Sequence, residues 1–268
     1  MDFIVYIILL IIGGCFGGGM AGLLGVGGGL IFTPIQYYLL LASGVEQSIA
    51  LPMAFATSLA VIFVTMIRGS YEHWHNGFVV MDYLPLLMIL GFIGAITGAF
   101  ISTHIDVGFL QFLFGLMCIV VVINMILIKY PDNDDNISKS RIKHALLGLV
   151  AGLLCGLLGV GGGIIMIPVL TILLKYPTHK AIGTSSASII ATSLGGLIAY
   201  IIIGWNVVGL PEFSLGYVNM VQFIVLTLIS TIVVGYAAKL SKNVNDSILK
   251  VFHILVVLYI GLKMLGVL

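Results

Sequence analysis

Eight residues, GLLGVGGG, occur twice in this chain, at 22–29 and again at 156–163. Each copy opens onto an apolar run with a proline early in it, Pro34 or Pro168. Without Cβ atoms, glycines accept positive φ and let backbone approach a ligand closely. The first N–H groups of a helix lack intrahelical partners and lie at the positive end of the dipole. A glycine cluster at a helix start is therefore a cradle for an anion that needs no buried cation. Downstream, AFATSLA at 54–60 pairs with AIGTSSA at 181–187, bringing Thr57 and Ser58 into register with Thr184 and Ser185. The candidate ligand set is Gly27, Gly28, Gly29, Gly161, Gly162 and Gly163, with hydroxyl donors from Thr57, Ser58, Thr184, Ser185 and Ser186.

A plainer reading stands beside this one. Glycines also let helices pack closely, and buried Ser and Thr often bond their own helix backbone. A phosphate loop is disfavoured, because no Lys-Ser/Thr follows the glycines and the setting is apolar. Paired catalytic groups inside the apolar runs are missing, since every Asp and Glu maps to a segment end or loop. The expectation is a protein that is not an enzyme, with no cofactor. Cys15, Cys118 and Cys155 lie in apolar runs without metal-ligand spacing. His73 and His75, in RGSYEHWHNG at 68–77, read as part of an aromatic interfacial belt on a loop rather than a metal site. Gln36, Gln111, Asn124 and Gln222 suit interhelical hydrogen bonds, while His104 and His253 suit interfacial or packed positions or assistance in proton coupling. Pro34 and Pro168 are expected in the early turns of their helices, where a missing N–H costs little.

These residues must be positioned by membrane helices. Sixty per cent of the 268 residues are hydrophobic and 8% charged, against about 25% charged in a soluble domain. The mean hydropathy is +1.24. Such a chain cannot cover a water-facing surface, and its net charge of +1 offers nothing to nucleic acid. The N-terminus, MDFIVYIILLII, lacks a basic leader and reads as a first membrane segment rather than a cleaved signal. Apolar runs fall at 3–25, 29–42, 48–68, 80–102, 107–129, 144–160, 163–175, 181–204, 217–239 and 247–268. A spanning helix needs about 20 residues, so 29–42 and 163–175 are too short to cross comfortably. Both follow a glycine cluster, which suggests broken or re-entrant helices.

The polar stretch 131–143 divides the chain into repeats at 1–130 and 144–268 within one membrane domain. If that linker faces the cytoplasm, every Lys and Arg except Lys263 falls on the same side. Glu46, Asp106 and Glu212 then lie opposite, and both termini lie outside. Each half holds an odd number of segments, which inverts the second half relative to the first. A substrate site between such repeats lies near the midplane.

The doubled GLLGVGGG with its following proline, each copy succeeded by an [AG]-T-S element, resembles the TauE/SafE family of sulfite exporters and related permeases. The resemblance covers essentially the whole chain. It implies an all-α integral membrane protein of a prokaryotic inner membrane that transports a small anion such as sulfite, a sulfonate or another small sulfur-containing anion. The expected partners are that anion and the lipid bilayer, with homo-oligomer formation left open. An anion channel using the same site is the alternative.

Overall fold

The computed structural model describes residues 3–24, 28–127, 137–240 and 246–268. The first half contains α1 (Phe3–Leu24), α2 (Gly29–Ala42), α3 (Gln47–His75), α4 (Leu84–Ser102) and α5 (Val107–Leu127). The second contains α6 (Arg141–Leu158), α7 (Gly163–Pro168) running into a π-helical turn (Val169–Leu173), and α8 (Thr178–Gly204). A short antiparallel hairpin, β1 (Ser214–Leu215) with β2 (Val218–Asn219), precedes α9 (Met220–Leu240) and α10 (Asp246–Met264). Among the described residues, seven helices are long and apolar enough to cross a membrane, namely α1, α3, α4, α5, α6, α8 and α9. The chain is an all-α integral membrane protein.

Burial is arranged for lipid. Ile89, Ile126, Ile202, Leu228 and Ile232 are exposed, while Thr57, Ser58, Thr184 and Ser185 are completely enclosed. Helix α3 forms the centre and packs on α8, α9 and α2. Around it the halves interleave: α1 lies along α9, α4 lies along α6 and α8, and α5 pairs with α10. Exchanging α1 with α6, α3 with α8, α4 with α9 and α5 with α10 maps these pairings onto one another.

The tightest seam, between α4 and α6, is made by small residues. A Cβ placed on Gly94 or Gly98 would collide with the carbonyls of Leu149 or Leu153, and one on Gly152 or Gly156 with those of Gly91 or Ala95. The same device recurs on α1, where a Cβ on Gly18 would stand 2.7 Å from the Cα of Ser230 on α9. Lipid tails are as apolar as leucine, so helices in a bilayer are held by this close van der Waals contact.

Three elements differ from the sequence expectation. Helix α3 runs on to His75, because no stop occurs until Asn76 and Gly77, the latter at φ 73°. The aromatic stretch 68–75 is therefore helical, with Tyr71 and Trp74 exposed on it. Pro34 lies in the second turn of α2, among the early turns where it is expected, whereas Pro168 stands at the last residue of the short α7. A proline supplies no N–H to the preceding turn, and after Pro168 the backbone widens into the π turn. The 214–219 hairpin has no apolar periodicity to announce it. Residues 131–136 of the 131–143 linker lie outside the described residues, but its end is anchored: the Ser138 N–H donates to the Leu174 carbonyl at 3.0 Å, and the Ser140 hydroxyl caps α6.

Candidate anion site

Left-handed glycines precede both short helices. Helix α6 stops at Leu158, Gly159 turns left-handed at φ 67°, and Gly161 and Gly162 follow at φ 82° and 73° before α7 begins. In the first half Gly28, at φ 71°, is the N-cap of α2. Its carbonyl accepts the N–H groups of both Ile31 and Phe32 at 3.0 Å, as the Gly162 carbonyl accepts those of Ile165 and Met166 at 3.3 and 3.1 Å. Gly27 lies outside the described residues.

The start of α2 meets the second cluster directly. A Cβ on Gly29 would stand 2.7 Å from the Cα of Val160. Gly159 presses on the Cα of Phe55, and Gly161 rests on Ile62 of α3 and Ile189 of α8. The second glycine turn is thus held among α2 and the two long central helices, whereas Gly162 faces the Ala151 carbonyl and Cys155 on its own α6.

The hydroxyls separate into four groups. Ser58 donates to the Gly159 carbonyl at 2.9 Å, and Thr33 donates to the same oxygen at 3.3 Å. These two fix the glycine turn in place. Thr57 accepts the backbone N–H of Asn219 at 2.9 Å, and Thr184 accepts that of Val80 at 3.0 Å, which leaves each hydroxyl proton for another partner. Ser186 donates to Ile182 in its own helix at 2.8 Å. Ser185 is completely buried, and its hydroxyl has no partner among the described residues.

Other polar groups gather nearby. Gln222 donates its side-chain amide to the Gln36 backbone carbonyl at 3.3 Å, and the Asn219 side-chain carbonyl accepts the Gln222 N–H at 3.0 Å. Both amide atoms of Gln36 and the side-chain oxygen of Gln222 are buried without partners among the described residues. Gln111 accepts from Gln47 at 3.1 Å and from Tyr37 at 3.5 Å. His104 sits at the end of α4, its Nδ1 2.8 Å from the Phe100 carbonyl.

Charge is kept away from this centre. None of the buried side chains among the described residues is Lys, Arg, Asp or Glu. Lys263 lies over the Tyr38 ring, 4.1 Å from its centroid. At the other end of the short second-half helix, His144 contacts the Tyr176 hydroxyl at 3.0 Å and stacks on Tyr83 with centroids 4.0 Å apart. Burial raises the Tyr176 phenol above its ordinary pKa, so it remains a neutral partner there.

Sequence reasoning missed Thr33 because its counterpart in the second copy is Ile167, and comparing the copies therefore pointed away from it. It also missed Tyr200, whose buried hydroxyl donates to the Gly156 carbonyl at 2.9 Å.

The family described as sulfite exporter TauE/SafE matches residues 10–264. The chain belongs to this family. A probable membrane transporter protein of Methanocaldococcus jannaschii is 31% identical over 248 residues, covering 92% of this chain and 89% of its own. Another from Haemophilus influenzae is 28% identical over 263 residues, covering 97% and 98%. A third, from Bacillus subtilis, is 26% identical over 224 residues, covering 76% and 80%. No solved structure matches the chain. TauE/SafE membership and the seven long apolar helices make this a multi-pass member of a family of membrane transporters.

Proposed function

We propose that the chain is a secondary transporter for a small anion, most suitably sulfite, a sulfonate or another small sulfur-containing anion. The anion binds between the two halves, which insert in opposite senses, and is held near the midplane by helix N-termini and by Thr and Ser hydroxyls. The chain lies in the inner membrane of a prokaryote, with the 131–143 linker in the cytoplasm and both termini outside.

One observation carries this reading: the left-handed Gly28 start of α2 abuts the Val160 turn of the other half, and none of the described buried side chains supplies a cation. Backbone amides can bind an anion there without the cost of a central Lys or Arg, at least ~2.5 kcal/mol in a bilayer. The name of the TauE/SafE family favours a sulfur oxyanion. The transport cycle is alternating access, in which one part of the helical bundle rocks against another around a fixed site.

The test is sulfite binding to the purified protein in detergent, with sulfate, a sulfonate, acetate and chloride as competitors. It is repeated on Ser185→Ala and on Gly28→Leu/Gly162→Leu. Selective sulfite binding that Ser185→Ala weakens, with its thermal stability intact, supports the reading. Absence of binding by all sulfur oxyanions removes the substrate assignment. A channel is distinguished by flux in proteoliposomes that exceeds carrier turnover and shows no counter-transport.

A further inference from the structure

A small cavity lies where α1, α2 and α10 meet, walled by Met20, Gly28, Leu30, Ile31 and His253. Its free space, about 10 Å³, is that of one water-sized group. His253 is only 4% exposed, and its Nδ1 has no hydrogen-bond partner among the described residues. The remaining wall side chains, Met20, Leu30 and Ile31, are apolar and offer that nitrogen nothing. A buried polar atom is nearly always satisfied, so this one points to a group that comes and goes.

Gly28 supplies the complement. Because Ile31 and Phe32 both return to the Gly28 carbonyl, the amides of Gly29 and Leu30 are the ones with no intrahelical acceptor at the start of this 14-residue helix. The dipole of α2 adds positive potential at the same end. An imidazole facing this helix start is the one side chain in the cavity wall able to hydrogen-bond an anion placed there. Gly162 faces the Ala151 carbonyl on its own α6 much as Gly28 faces the Gly17 carbonyl on α1, so what sets the α2 start apart is His253 in its cavity wall.

We infer that His253 is a substrate-binding residue whose Nδ1 engages one oxygen of a small oxyanion seated at the start of α2. This rests on the anion-transport reading above and adds to it a ligand from α10 in one half only. The cavity takes a single oxygen, so the rest of the anion occupies space opened when α10 and α2 part.

The experiment is a sodium sulfite titration of the full-length protein in detergent, followed by ¹⁵N NMR of labelled histidine. The chain has six histidines, and the His253 signal is identified by its loss in His253→Leu. The expected result is a saturable shift of that signal. Sulfite affinity should fall at least tenfold in His253→Leu and recover partly in His253→Asn, whose amide nitrogen stands close to the position of Nδ1. If the wild-type protein binds sulfite while the His253 signal stays still, or if His253→Leu binds equally well, the inference is overturned and the transporter reading survives. If the wild-type protein binds no sulfur oxyanion, both fall. If the leucine variant does not fold, the signal is identified by its loss in His253→Asn, and the wild-type NMR titration still decides the matter.

Discussion

Thr57 on α3 accepts the backbone N–H of Asn219 at 2.9 Å, and its repeat counterpart Thr184 on α8 accepts that of Val80 at 3.0 Å. Each central helix thus holds the segment that leads into the fourth helix of the other half, α9 for Thr57 and α4 for Thr184. Removing the acceptor strands a peptide N–H away from water. Thr57→Val and Thr184→Val should each lower stability by about 1–3 kcal/mol, while the serine variants should retain most of it. Thermal unfolding in detergent compares the four variants, and equal melting of Val and Ser forms would sink the claim.

Glycines in this chain are unequal, and substitution should sort them. Gly152→Ala pushes a methyl into the Gly91 carbonyl across the α4–α6 seam. Overpacking of that kind costs about 1–3 kcal/mol. Gly69→Ala, within α3, meets nothing nearer than the Met66 methyl at 3.5 Å and should be neutral, or stabilising by up to ~1 kcal/mol from helix propensity. The difference in melting temperature between the two variants is the readout.

Gln36 should be more stable as methionine. Both of its side-chain polar atoms are buried without partners among the described residues, and an unsatisfied buried amide costs about 1–3 kcal/mol. Gln36→Met keeps the length and removes that cost. A gain in melting temperature with reduced transport in proteoliposomes would mean the amide is retained for the substrate path. A loss in melting temperature would show that the amide is satisfied in the membrane.

Cutting the chain in the 131–136 stretch should be tolerated only when both pieces are present. The pairs α1–α9 and α4–α6 cross between halves, so neither piece can cover its own glycine seam. Fragments 1–133 and 134–268 should co-purify when co-expressed, and either one alone should be degraded. Stable accumulation of a single fragment would contradict this.

The starts of α2 and α7 were legible because the same eight residues mark both, and glycine at a helix entry has a physical meaning independent of context. Helix α3 was read seven residues short, since Arg68, Glu72 and His73 look like loop residues by polarity. Nothing in 68–75 stops a helix, however, and polar side chains are tolerated once it leaves the hydrocarbon. In the candidate site, the sequence treated Ser58 and Ser185 as equals because they align. Three-dimensional packing separates them: Ser58 is committed to the Gly159 carbonyl, and Ser185 has no partner among the described residues. Such commitments depend on which carbonyl lies within 3 Å across two helices, and residue spacing does not encode that. His253 was visible only as an isolated polar residue, because its importance comes from α10 meeting the start of α2.

The interleaving of the halves also bears on whether one half could stand alone. A protein consisting of one half would expose the face of α6 that carries Gly148, Gly152 and Gly156, or the matching face of α1. It would need a second copy to cover it, which the internal duplication supplies within one chain. The two copies differ in their polar residues: Thr33 stands where the later copy has Ile167, and Gln36 where it has Leu170.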